Sequence, residues 1–108
     1  KYDDIDAVWA ADDDMAIGVL EAISQAGRDE EMWVVGGAGM KEIIKRIMDG
    51  DPMLPVNVTY PPAQIATAIE LTALGQVSDT PVAGRFIIGS QRITPDNAAQ
   101  FYFPDSPF

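Results

Sequence analysis

Three consecutive carboxylates, Asp12, Asp13 and Asp14, form the densest cluster of reactive side chains in the sequence. They follow the apolar run Ala7-Val8-Trp9-Ala10 and precede Met15, where a helical pattern begins. Acids at a helix start accept hydrogen bonds from its free N–H groups and suit the positive end of its dipole. One or two acids suffice for that. A further carboxylate at this place can accept two hydrogen bonds from neighbouring hydroxyls of a sugar. One reading therefore makes Asp12 a ligand residue and Asp13 the helix cap. The other leaves the whole triplet to the helix. The run lacks the alternating acids and central glycine of an EF-hand, which argues against calcium.

A second cluster, Gly36-Gly37-Ala38-Gly39, lies between the apolar run Met32-Trp33-Val34-Val35 and a helix. Read as G-x-G-x-x-G from Gly37, it places Glu42 where the last glycine belongs, and the next strand ends at Tyr60 without an acid for a ribose. A dinucleotide site is therefore disfavoured. Glycines here still permit positive φ and close backbone approach. The third cluster is Tyr60-Pro61-Pro62. A tyrosine offers a ring face and a hydroxyl to a polyol, or packs at a strand end, and both readings stand. Trp9 and Trp33 sit within apolar runs and are expected in the core. Lys41, Lys45 and Arg46, with Glu42 and Asp49 beside them, are expected on a solvated helix face. Asn57-Val58-Thr59 matches a glycosylation sequon, but its place in a predicted strand discounts it.

What the sequence lacks narrows the chemistry. Its 108 residues include no Cys and no His. Thiol nucleophiles, disulfides, Cys or His metal sites and Ser-His-Asp triads are excluded. A carboxylate hydrolase built on Asp12 and Asp14 would need a second acid cluster at the other strand ends, and none is present. With 7 basic and 17 acidic residues the net charge is −10, which argues against nucleic acid as a partner. No apolar run approaches the ~20 residues needed to span a bilayer. The chain starts at Lys1 rather than Met, so a processed or truncated piece is expected and missing targeting signals carry no information on location.

The positioning elements alternate. Residues 7–10 read as a buried strand. Met15, Val19 and Ile23, with Ala16 and Leu20, predict a helix stopped by Gly27. After the strand at 32–35, Met40, Ile43, Ile44, Ile47 and Met48 predict a helix ended by Gly50. Residues 56–60 read as a third strand. Pro61-Pro62 is expected to open a third helix with Ile65, Ala66, Ile69 and Ala73 on its apolar face and Gly75 at its end. Residues 76–84 read as a turn-rich connection and Arg85 to Ile88 as a last strand. This order predicts an α/β fold with a parallel sheet flanked by helices. In such sheets ligands bind outside the carboxyl ends of the strands, where all three clusters fall.

The stretch Asp6-Ala7-Val8-Trp9-Ala10-Ala11-Asp12-Asp13-Asp14-Met15-Ala16-Ile17-Gly18 resembles the type I periplasmic sugar-binding proteins, the substrate-binding components of bacterial ABC importers, which run D-A-[VI]-[FW]-A-x-N-D-x-M-A-x-G here. The resemblance continues through Val34-Val35-Gly36, Ile47-Met48-Asp49-Gly50 and Val56-Asn57-Val58-Thr59-Tyr60. It implies the periplasmic-binding-protein-like I fold, two α/β lobes on a three-stranded hinge that close around a sugar. Residues 1–60 then correspond to the distal part of the C-terminal lobe. Residues 61–108 correspond to a hinge-crossing helix, a strand and the C-terminal tail, with the N-terminal lobe absent. Asp12 falls on the family's sugar-binding Asn, Ala38 on the Asp of V-V-G-[FY]-D-G, and Tyr60 on a Gln. The candidate ligand positions are thus Asp12, Asp13, Ala38 and Tyr60, with no catalytic residue, metal or cofactor expected. The implied partners are a sugar or polyol, a permease, and a missing lobe or second copy covering exposed apolar surface. The implied location is the periplasm, or a lipid-anchored site outside a Gram-positive cell. The effector-binding domain of a LacI-type repressor shares the fold and is the alternative.

Overall fold

Ile43, Ile44 and Ile47 are fully or almost fully buried, as their i, i+1, i+4 spacing requires of one helical face. They belong to α2 (Lys41–Met48), which ends where Gly50 takes φ +79°. The computed structural model describes residues 2–60, 62–78 and 81–107. Within them α2 packs over a four-stranded sheet of β1 (Ala7–Trp9), β2 (Trp33–Ala38), β3 (Val56–Thr59) and β4 (Arg92–Ile93), in that spatial order. β1, β2 and β3 are parallel, whereas β4 runs antiparallel to β3. The expected parallel sheet is therefore parallel in its first three strands only. The expected strand at Arg85 to Ile88 is absent, and pairing begins at Arg92.

The register separates two faces of the sheet. Val8 pairs with Val34, Gly36 with Asn57, and Asn57 with Ile93. With side chains alternating along each strand, these residues share one face. Val34, Asn57 and Ile93 are fully buried there. α1 (Asp13–Gln25) and α2 connect consecutive parallel strands. Right-handed crossovers in a sheet that grows in one direction put both helices on the same side. The opposite face carries Ala7, Trp9, Trp33 and Val58. Trp9 is 76% and Trp33 42% exposed, so neither is a core residue. An apolar run identifies a strand but not whether both its faces are covered.

The other differences have local causes. The buried stripe of α1 is Asp13, Ala16, Leu20 and Ile23, while Met15 lies exposed. The stripe is rotated from the expected one because Asp13, a polar residue, occupies a core-facing position. β2 extends through Gly36-Gly37-Ala38, so two of the glycines expected in a turn are strand residues.

α3 (Gln64–Val77) begins after Pro62, which lies outside the helix, and it continues past Gly75. Pro61 lies outside the described residues. Gly75 packs near Val82, at about 3.6 Å from where a Cβ would stand, so the returning chain approaches the helix there. Of the expected connection at 76–84, Asp79 and Thr80 lie outside the described residues. α3 has no buried residue, and its expected apolar face is open, with Ile65 64% exposed. The tail turns back through a 3-10 turn (Ala98–Gln100) whose Ala98 is buried. Lys41 Nζ donates to the carbonyls of Pro104 (3.2 Å) and Ser106 (2.6 Å), which fastens the tail to α2. Lys45 and Arg46 pair with Asp49 and Asp51 on the solvated side, as expected for that face.

Candidate functional site

The carboxyl ends of β1, β2 and β3 deliver Asp12, Ala38 and Tyr60 to one rim. Asp12 is extended (φ −148°, ψ 157°) and is the N-cap of α1, its Oδ1 accepting from the Asp14 N–H at 3.0 Å. The cap is therefore Asp12, not Asp13: the chain leaves β1 one residue too early for Asp13 to precede the helix. The Tyr60 hydroxyl donates to Asp12 Oδ2 at 2.5 Å and lies 3.0 Å from the Ala11 carbonyl oxygen. That bond ties the end of β3 to the end of β1 across β2. The crossing needs Gly37, where a Cβ would stand 2.9 Å from Tyr60 Cε1.

Asp13 is turned inward. It is fully buried, and its Oδ2 accepts from the N–H groups of Gly39 (2.9 Å) and Met40 (2.7 Å). Its Oδ1 accepts from Asn57 Nδ2 at 2.7 Å. A Cβ on Gly36 would stand 2.2 Å from that Oδ1, so this glycine makes room for the carboxylate. Asp13 thus knits α1, the β2–α2 turn and β3 together, and its carboxylate does not face the rim. Asn57 Oδ1 is buried without a partner among the described residues.

These settings move the acids in opposite directions. The Tyr60 hydroxyl and then the Asp14 N–H hold the Asp12 carboxyl below the usual carboxylate value. The same bond pushes the Tyr60 phenol up to about 12. Burial pushes the Asp13 carboxyl up, against the pull of its three donors.

Ala38 ends β2 at φ +104°, a conformation uncommon for a residue with a Cβ. It lines a cavity of about 280 Å³ with Ile44, Thr59, Gln91 and Phe101. Of the four candidate positions, then, Asp12 and Tyr60 are joined directly, Ala38 lines a separate cavity against α2 and the tail, and Asp13 braces from behind. Sequence reasoning missed Asn57, whose signal was a polar residue between two valines of a strand. It also missed that Gly36 and Gly37 serve opposite faces. Among the described residues no cluster of three or more acids is placed to hold a metal ion.

Residues 1–74 match the family model described as a periplasmic binding protein domain. The chain belongs to this family. Among its periplasmic-binding-protein relatives is the D-allose-binding periplasmic protein of Escherichia coli K12, 31% identical over 102 residues, covering 94% of this chain and 29% of that protein. An ABC transporter solute-binding protein from Mycobacterium smegmatis with bound glycerol superposes at a TM-score of 0.79 with 25% identity, covering 94% of this chain and 34% of that one. The Caulobacter myo-inositol binding protein bound to myo-inositol superposes at 0.74 with 29% identity, covering 88% of this chain and 32% of that one. The chain spans about a third or less of the length of these binding proteins.

Proposed function

We propose that this chain supplies the C-terminal-lobe half of the ligand cleft in a sugar- or polyol-binding protein serving a bacterial ABC importer. The observation that carries the reading is the Asp12–Tyr60 pair at the carboxyl ends of parallel strands, the place where α/β sheets bind ligands. The family match and the names of the relatives, binders of D-allose, myo-inositol and glycerol, support it over a repressor. Residues 1–60 act as the distal part of the lobe, and residues 61–108 cross toward the N-terminal lobe and return. The uncovered α3 is where that lobe seats, which accords with relatives about three times longer than this chain. The protein works outside the cytoplasmic membrane, in the periplasm or on a lipid anchor, and hands its ligand to a permease. It binds without catalysis.

Calorimetry on the full-length protein with D-allose, myo-inositol and glycerol tests this. One of the three is expected to bind with a Kd on the order of 1 µM. Asp12→Ala is expected to weaken that binding at least about tenfold, since hydrogen bonds to a charged group are among the stronger ones, while the melting curve keeps its shape. Absence of binding to every probe, or turnover of glycosides, would overturn the reading.

A further inference from the structure

Resting on the reading that the ligand sits over Asp12 and Tyr60, we propose that these two side chains form one recognition unit that accepts hydrogen bonds and donates none. The ligand edge it selects is then a donor edge, a vicinal diol or an amino alcohol, with a C–H face against the Tyr60 ring.

A phenol has one proton, and that of Tyr60 is committed to Asp12 at 2.5 Å, with the Ala11 carbonyl as a second acceptor. The phenol oxygen keeps only lone pairs for a ligand. Each Asp12 oxygen holds one protein donor, Asp14 N–H on Oδ1 and Tyr60 on Oδ2. A carboxylate has about four acceptor positions, so one remains on each oxygen. Two acceptors on adjacent oxygens suit two donors on adjacent carbons.

Three donors near this rim are spent elsewhere. The Gly39 and Met40 N–H groups, at the start of α2, are taken by the buried Asp13. Lys41, the first residue of α2, is committed to the Pro104 and Ser106 carbonyls. From Asp12 and Tyr60 themselves a ketone, carboxylate or phosphate would meet only lone pairs and the charge of Asp12. An ammonium group would meet an ionised acid held below the usual carboxylate value. The ring completes the unit: one edge rests against Gly37, and 38% of Tyr60 remains exposed for apolar contact.

Two measurements on the full-length protein test the proposal. The first needs no ligand. In protein labelled with carbon-13 tyrosine, the Tyr60 resonance, assigned by Tyr60→Phe, is expected to show no ionisation at about pH 10.5. Asp12→Asn should bring its midpoint back toward the ordinary phenol value of about 10. Titration at the ordinary value in the wild type would overturn the coupled unit, whatever the ligand proves to be.

The second is calorimetry with D-allose and its analogues in which each hydroxyl in turn becomes fluorine, which cannot donate, or an amine, which can. At two adjacent positions fluorine is expected to weaken binding about tenfold or more, and the amine to change it less than about threefold. In Asp12→Asn and Tyr60→Phe that contrast should shrink. Fluorine tolerated at every position, with parent D-allose bound, would overturn the proposal while leaving the binding function intact. Failure of D-allose, myo-inositol and glycerol alike would overturn the underlying reading instead.

Discussion

The two faces of the sheet use the same strands for opposite purposes. On one face Val34, Asn57 and Ile93 are sealed beneath the helices. On the other Trp9, Trp33 and Val58 stand open, and Tyr60 reaches across to Asp12. Adjacent residues divide between the two jobs. Asp13 is buried and saturated while Asp12 faces solvent, and Gly36 clears space for Asp13 while Gly37 clears space for Tyr60. For the glycines the two-residue period of a strand makes this possible, because neighbours point to opposite faces; the aspartates divide because Asp12 is the extended cap and Asp13 the first residue of α1. The covered face sets stability, and the open face with its rim is free to set recognition.

The largest effect should come from the covered side. Ile47→Ala removes a fully buried side chain, and a loss of about 2–5 kcal/mol is expected in denaturant unfolding. A loss below about 1 kcal/mol would mean that α2 does not anchor this face.

Next comes Asp13→Ala, which strands two backbone N–H groups and Asn57 Nδ2, at an expected cost of about 3 kcal/mol. Asp13→Asn should cost less. It keeps an oxygen for the loop amides, and a flipped Asn57 amide can present its unpartnered Oδ1 to the new NH₂.

The pH dependence follows from the same pair of neighbours. Burial raises the Asp13 pKa, so the folded state holds that proton more tightly than the unfolded chain does. Its contribution to stability therefore falls as pH rises from the unfolded value near 3.8 through the raised one. Asp12, whose pKa is lowered, contributes in the opposite sense, with stability present above the unfolded value and lost as pH falls through the folded one. Unfolding curves across mildly acidic pH should steepen in favour of high pH when Asp13 is replaced by Asn. They should flatten at the acid end when Asp12 is replaced. The reverse pattern would exchange the two roles.

The two glycines give a matched pair. Gly36→Ala drives a methyl into Asp13, whose oxygens are all committed, and should cost about 2 kcal/mol. Gly37→Ala crowds the edge of the exposed Tyr60 ring, which can swing away, and meets the Ala11 carbonyl oxygen only at an ordinary contact distance of 3.5 Å. It should leave stability within about 0.5 kcal/mol yet return the Tyr60 titration from about 12 toward its ordinary value. Equal stability losses in the two variants would erase the distinction between the faces.

Much of this was legible beforehand for physical reasons. The α2 stripe is legible because Ile43, Ile44 and Ile47 share one helical face that the sheet and the returning tail cover, although Met48 at its end stays exposed, and the motif around Asp12 carries family information. Trp9 and the apolar positions of α3 misled, because composition reports that a residue suits burial and not whether a partner is present. Asp13 misled for the opposite reason. A carboxylate looks solvent-seeking in a sequence, and only the converging donors of Gly39, Met40 and Asn57 make its burial tolerable.

The smallest effect should be on the open face and on α3. Trp9→Ser and Ile69→Ser remove large apolar groups that are already in water, with Trp9 76% and Ile69 61% exposed. In the 108-residue chain each should change unfolding free energy by no more than about 0.5 kcal/mol, since little burial is lost. In the full-length protein the same Ile69 substitution should become costly, because the proposed N-terminal lobe would cover that helix. The comparison across lengths is the decisive one. A position that is indifferent in one chain and destabilising in the other owes its apolar character to the lobe and not to the local fold. Equal indifference in both would leave α3 uncovered even in the whole protein, and would break the assignment of residues 61–108 as the segment that crosses between lobes.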